Sequence, residues 1–145
     1  MKSFADPRHT SRKLALTSIF CWLFTETDKT DAIMLSKDLL EEQPGEQDTE
    51  LTEYIFEGVK SHINEIDKVI EESAPEWPID KIAKVDLVVL RIAVFELLFG
   101  KKAPVKVVVD EAVELAKEFG NDTSHKFVNG VLGTVIGIYL EKKDE

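Results

Sequence analysis

The chain has 145 residues, of which 43 % are hydrophobic and 32 % charged, and carries a net charge of -10. That length suits one domain or two small halves, with about two thirds of the unfolded surface buried on folding. One cysteine, Cys21, excludes an internal disulfide and a cysteine-based zinc site, and so negative a chain does not bind nucleic acid by bulk charge.

The charge is unevenly placed. Between Glu41 and Glu76 twelve acids face two bases, Lys60 and Lys68, so that segment carries the whole net charge and the rest is neutral. Its simplest reading is a solvated helix face. Basic stretches elsewhere, RHTSRK and GKK, remain available as local footprints for an anion. No start of the secretory type and no apolar run of membrane-spanning length is found, so a cytoplasmic location without a membrane partner is expected.

Glycine and proline cluster at Pro44-Gly45, Pro75 to Pro78, Gly100 to Pro104 and Gly120, and the pieces between them have helical period; no segment alternates like a strand. A first helix is expected from Arg8 to Phe24, with Pro7 near its first turn, Leu16, Ile19, Phe20 and Leu23 inward, and Cys21 as a small core residue. A short second helix follows over Asp31 to Leu40. The third is long, Thr49 to Glu72, with Leu51, Ile55, Val59, Ile63, Ile66 and Ile70 on its inner stripe. APEWP then stops the chain, because two prolines three residues apart forbid a continuous helix. This places a boundary at Ala74 to Trp77, dividing residues 1–74 from residues 75–145.

In VDLVVLRIAVFELLF the only charges are Asp86, Arg91 and Glu96, and at 100° per residue each points about 140° from the one before it. A helix without a polar side belongs at a centre, where Arg91 and Glu96 need partners. VKVVVDEAVELAKEF follows, with Val108, Ala112, Leu115, Ala116 and Phe119 on one stripe and Gly120 as a left-handed stop. The last helix runs from Ser124 to about Glu141. Its glycines, Gly130, Gly133 and Gly137, each cost up to about 1 kcal/mol against alanine, and close approach of another helix is the simplest reason for them.

The turn between these helices, FGNDTSHKFVNGVLG, carries the main chemical signal. Asp122, Thr123 or Ser124 can cap the last helix, yet His125 and Lys126 put cationic side chains on a first turn where the backbone dipole favours anions. A helix start with a lysine is suited to phosphate. The first helix opens similarly, with Arg8, His9, Arg12 and Lys13. Two such starts suggest one shared anion, against the plainer reading of solvated surface charge. Phe127 is able to stack on a base or to serve the core. His9, His62 and His125 lie far apart in sequence with no metal or nucleophile pattern, so neither a cofactor nor an enzyme is expected.

SHKFVNGVLG, preceded by DEAVELAKEFG and VLRIAVFEL, resembles the signature region of the NusB family of bacterial transcription antitermination factors, and RKLALTSIFCW resembles its first helix. The resemblance spans nearly the whole chain. It implies an all-α fold of two packed helical bundles with about seven helices. It also implies a non-enzymatic role: binding single-stranded boxA RNA in nascent ribosomal RNA leaders together with the ribosomal protein NusE, to keep the RNA polymerase elongation complex moving. RNA contacts then map onto Arg8, His9, Arg12 and Lys13, and onto Asn121, Ser124, His125, Lys126 and Phe127; an acidic contact towards NusE maps onto Asp86. His9 and Thr10 interrupt what is a run of arginines in familiar members, which lessens attraction for RNA. Thr123 stands where the best-known member has an aspartate, which lessens repulsion.

The alternative is a helical protein-interaction module or homodimer that does not touch RNA. NusB-like domains also occur attached to ribosomal RNA cytosine methyltransferases, but this sequence has no strand, glycine-rich turn or second cysteine for that chemistry.

Overall fold

A computed structural model describes residues 7–25, Ile33 and residues 46–141, and among them every regular element is helical. In chain order these are α1 (Pro7–Thr25), α2 (Glu46–Ser61), α3 (Ile63–Ser73), α4 (Lys84–Val94), α5 (Val105–Phe119) and α6 (Ser124–Val135). Ile79–Lys81 form a 3-10 turn, and α4 and α6 run on as π-helical segments over Phe95–Gly100 and Ile136–Leu140. Except for buried, helical Ile33, the expected second helix lies outside the described residues. The chain forms two compact units that divide between Glu57 and Gly58, within α2.

In the first unit Pro7 opens α1, where its missing N–H costs nothing. Leu14, Ala15, Leu16, Ile19 and Cys21 are buried, and burial pushes the Cys21 thiol above its ordinary pKa, so it packs as a small neutral side chain. Ser11 and Ser18 are also buried; their hydroxyls donate to the carbonyls of Pro7 and Leu14 at 3.0 and 2.6 Å. Thr52 on α2 donates to the Ser11 carbonyl at 3.1 Å, and Trp22 packs on Phe56 with ring centres 5.7 Å apart.

The second unit is built around α4, which touches α3, α5 and α6. Every residue from Asp86 to Val94 is buried, as a helix with no polar side requires. Arg91 finds its partner in Asp67 of α3: Nε donates to Oδ1 and an Nη to Oδ2, both at 2.9 Å. Val108, Ala112, Leu115 and Ala116 form the inner face of α5, and the prolines of APEWP release the chain from helix after Ser73. Tyr139 of the C-terminal π-segment donates to Glu72; burial first, and then that bond and its charge, push the phenol up to about 12.

Three expectations are corrected. The long third helix is two, divided at His62, whose φ of -114° and ψ of 19° depart from helical values. There the Nδ1 atom and the backbone N–H of His62 share the Gly58 carbonyl, at 3.0 and 3.1 Å, while the ring lies 4.6 Å from that of Phe99. Gly120 is not left-handed, having φ -93° and ψ -166°. It is needed for space, since a Cβ there would stand 2.4 Å from Ser124 Oγ and 2.8 Å from the Ala116 carbonyl oxygen.

The third correction concerns Gly130, Gly133 and Gly137. Among the described residues no helix approaches them: a Cβ at any of the three meets nothing within 4 Å, and all three are exposed. Gly133→Ala should therefore raise stability by about 0.5 to 1 kcal/mol by restricting the unfolded chain. Urea unfolding checks this, and a loss of stability would mean that the position is crowded.

Candidate nucleic-acid interface

The second unit carries one half of the expected site on the turn into α6. Asn121 organises that turn. Its Oδ1 accepts from the Thr123 N–H at 2.9 Å, the Thr123 hydroxyl at 3.0 Å and the Ser124 hydroxyl at 3.3 Å. Ser124 Oγ in return accepts from the Asn121 N–H at 3.0 Å. Thr123, at the N-cap, makes no side-chain capping bond, so the expected cap is replaced by an Asn121–Ser124 clasp. Ser124 is 1 % exposed and thus holds the turn from within.

The clasp leaves His125, Lys126 and Phe127 on the first turn of α6, where the helix dipole adds partial positive charge. His125 and Lys126 line a groove of about 480 Å³ between α5 and α6, with Val113, Lys117 and Asn129. Asp110 and Glu114 line it too, so its charge is mixed. Asp110 is engaged by Lys106 at 3.1 Å, an exposed pair of small energetic weight. Lys126 is the exposed cation at the start of the helix, and His125 and Phe127 are half-buried.

Phe127 faces a second recess, of about 290 Å³, with Trp77, Lys81, Ile82, Ala83, Thr123 and Asp86. Trp77 meets Phe127 edge to face, ring centres 5.8 Å apart. Asp86 lies on the first turn of α4 and is 6 % exposed. The recess thus gathers Phe127, expected to contact RNA, and Asp86, expected to contact protein, with Trp77. In the sequence Trp77 counted only as part of the helix-stopping APEWP; a tryptophan fixed between two prolines was the available signal.

The other half lies on α1 in the first unit. Arg8 is exposed and His9 and Lys13 are half-buried, whereas Arg12 is buried, at 4 % exposed. The opening turns of α1 thus keep Arg8, His9 and Lys13 at least partly at the surface and Arg12 inside.

Residues 9–137 match the model of the NusB family. The chain belongs to the NusB family. A transcription antitermination protein NusB of Chloroflexus aggregans is 43 % identical over 97 % of this chain and 93 % of its own length. One from Roseiflexus castenholzii is 44 % identical over 95 % and 97 %. The fold is also that of solved NusB proteins. That of T. maritima superposes with a TM-score of 0.81 at 30 % identity over 95 % of this chain and 96 % of the other. A structure of antitermination factors NusB and NusE in complex with double-stranded RNA gives 0.82 at 26 % identity, covering 92 % and 98 %. The sequence resemblance and the all-helical NusB fold class therefore hold.

Among the described residues no three His, Cys, Asp or Glu side chains gather as a metal site, and no helix is long and apolar enough to cross a membrane.

Proposed function

We propose that this NusB-family chain is an RNA-binding transcription antitermination factor. It binds the boxA segment of nascent ribosomal RNA leaders together with NusE, and keeps RNA polymerase elongating. It works in the cytoplasm by binding rather than catalysis. The observation that carries this reading is the first turn of α6, where Lys126 is exposed and His125 and Phe127 flank it on a helix start fixed by Asn121 and Ser124. Its relatives are named for antitermination, and a protein of the same fold has been solved with NusE and RNA.

In this reading Lys126, with the dipole of α6, holds a phosphate, and His125 adds a donor at its side. Phe127 offers an aromatic surface to a base. Asn121 and Ser124 position the turn. On α1, Arg8, His9 and Lys13 hold further phosphates, while Arg12 orders the helix that carries them. The net charge of -10 is carried by the segment from Glu41 to Glu76, and the rest of the chain is neutral, so the cations of the two helix starts are not part of the excess.

Two substitutions test the assignment. Lys126→Ala should weaken single-stranded RNA binding about uniformly across sequences and lower the salt slope by about one counterion; Arg8→Ala should do the same by a smaller amount. Fluorescence anisotropy over a salt series measures both. An unchanged slope in Lys126→Ala would remove the phosphate from this turn.

A further inference from the structure

The exposed cation at the start of α6 has a neighbour across the groove that the RNA contacts above leave out. Lys117, on the last turn of α5, lines the same groove of about 480 Å³ as His125 and Lys126, and it is exposed. Neither Lys117 nor Lys126 makes an ion pair or a side-chain hydrogen bond among the described residues, whereas the acids of the groove are engaged: Asp110 by Lys106 at 3.1 Å, and Glu114 also with a partner. We propose that Lys117 is a further RNA contact, which holds the phosphate next to the one on Lys126, so that the strand follows the end of the groove nearest the turn. This inference rests on the RNA-binding reading above and adds a residue and a direction to it.

A single strand carries a phosphate at every nucleotide, so one held at Lys126 presents others to the surface beside it. On the α5 side that surface is the groove, and Lys117 is its free cation. The turn between the two lysines fixes how the helix ends that carry them meet. The Gly120 N–H bonds the Ala116 carbonyl at 2.9 Å, Asn121 and Ser124 clasp each other, and a Cβ at Gly120 would stand 2.4 Å from Ser124 Oγ. The backbone under both lysines is therefore set before a ligand arrives, and less ordering is left to oppose binding.

The rest of the lining limits the contact. Asp110 lies seven residues before Lys117, about 10 Å along the helix, and Glu114 stands between them, so the acids occupy the part of the groove away from the turn. Phosphate is thereby confined to the end with Lys117, His125 and Lys126. Asn129, one turn beyond Lys126 on α6, adds an amide that both donates and accepts.

A lysine on a last turn also has a plainer role, because a cation there complements the helix dipole. The two roles differ in what removal does. Loss of a dipole partner weakens α5 and leaves RNA binding alone, whereas loss of a phosphate contact lowers affinity and its dependence on salt.

Fluorescence anisotropy of the full chain with a short boxA-like RNA, over a salt series, separates them. Lys117→Ala should weaken binding about three- to tenfold and lower the salt slope by about one counterion, and Lys117→Arg, which keeps the charge, should restore both. Lys68→Ala, which removes an exposed lysine of α3 outside the groove, should change neither. Circular dichroism and urea unfolding confirm that each variant is folded.

Unchanged affinity and slope in Lys117→Ala, with the slope still lowered in Lys126→Ala, would overturn the groove contact and leave the RNA reading in place; no change in either variant would overturn both. An equal loss in Lys68→Ala would mean that RNA feels only net charge, and would overturn the contact as well. So would loss of NusE binding in Lys117→Ala with RNA affinity unchanged, which would give the groove to an acidic segment of the protein partner.

Discussion

Asp67→Ala is expected to destabilise the second unit by about 2 to 4 kcal/mol, because it strands the Arg91 guanidinium inside it. The Arg91 side chain is only 9 % exposed and makes two hydrogen bonds of 2.9 Å to one carboxylate. Asp67 is 25 % exposed, so water can reach part of the gap and the cost falls at the lower end of the range for buried pairs. The pair itself is worth much less than its breakage. Asp67→Leu with Arg91→Met should therefore recover most of the loss, which a double-mutant cycle by urea unfolding resolves. A loss from Asp67→Ala below about 1 kcal/mol would show that the guanidinium finds water or another acceptor.

Gly58→Ala is the second large effect, and it opposes the usual gain from alanine in a helix. A Cβ at Gly58 would stand 2.1 Å from Phe95 Cζ and 2.3 Å from Cε1. Phe95 is buried, 3 % exposed, where α4 passes into its π-segment. Overpacking of this kind costs about 1 to 3 kcal/mol, against at most about 1 kcal/mol gained in helix propensity. The expected result is a clear net loss of stability, partly recovered by Phe95→Leu. Gly58→Ala at or above wild-type stability would mean that the ring has room to turn.

The difference between Gly58 and Gly133 shows what the sequence can and cannot convey. Both are helical glycines among apolar neighbours, yet one is filled by a ring thirty-seven positions away and the other faces open space. Pattern along one helix cannot separate them, because the deciding atom lies on another. By contrast, the central place of α4 was legible, since charges pointing in three directions leave a helix no solvent side. The stop at APEWP was legible as well, because proline chemistry is local. The break at His62 was not: it depends on the ring meeting Phe95 and Phe99, neither a near neighbour in sequence.

The candidate site divides along the same line. Lys126 could be read from the sequence, as a cation placed against the helix dipole. Ser124 was read as a helix cap or an RNA contact, but a clasp with Asn121 turns it inward, and the bonds that do so arise only once the turn closes. Trp77 acquires its meaning from Phe127, fifty residues on, and Asp86 from the recess between them.

In the function proposed above, this chain reads a particular RNA in company with a protein. Its most direct measure is the affinity for boxA-like RNA relative to a scrambled strand of equal length and composition, at physiological salt, with and without NusE. The expected result is that boxA is preferred and that NusE increases the preference, both effects being weaker in Lys126→Ala. Equal affinity for the two strands, unaltered by NusE, would contradict it and leave the fold to serve protein contacts alone.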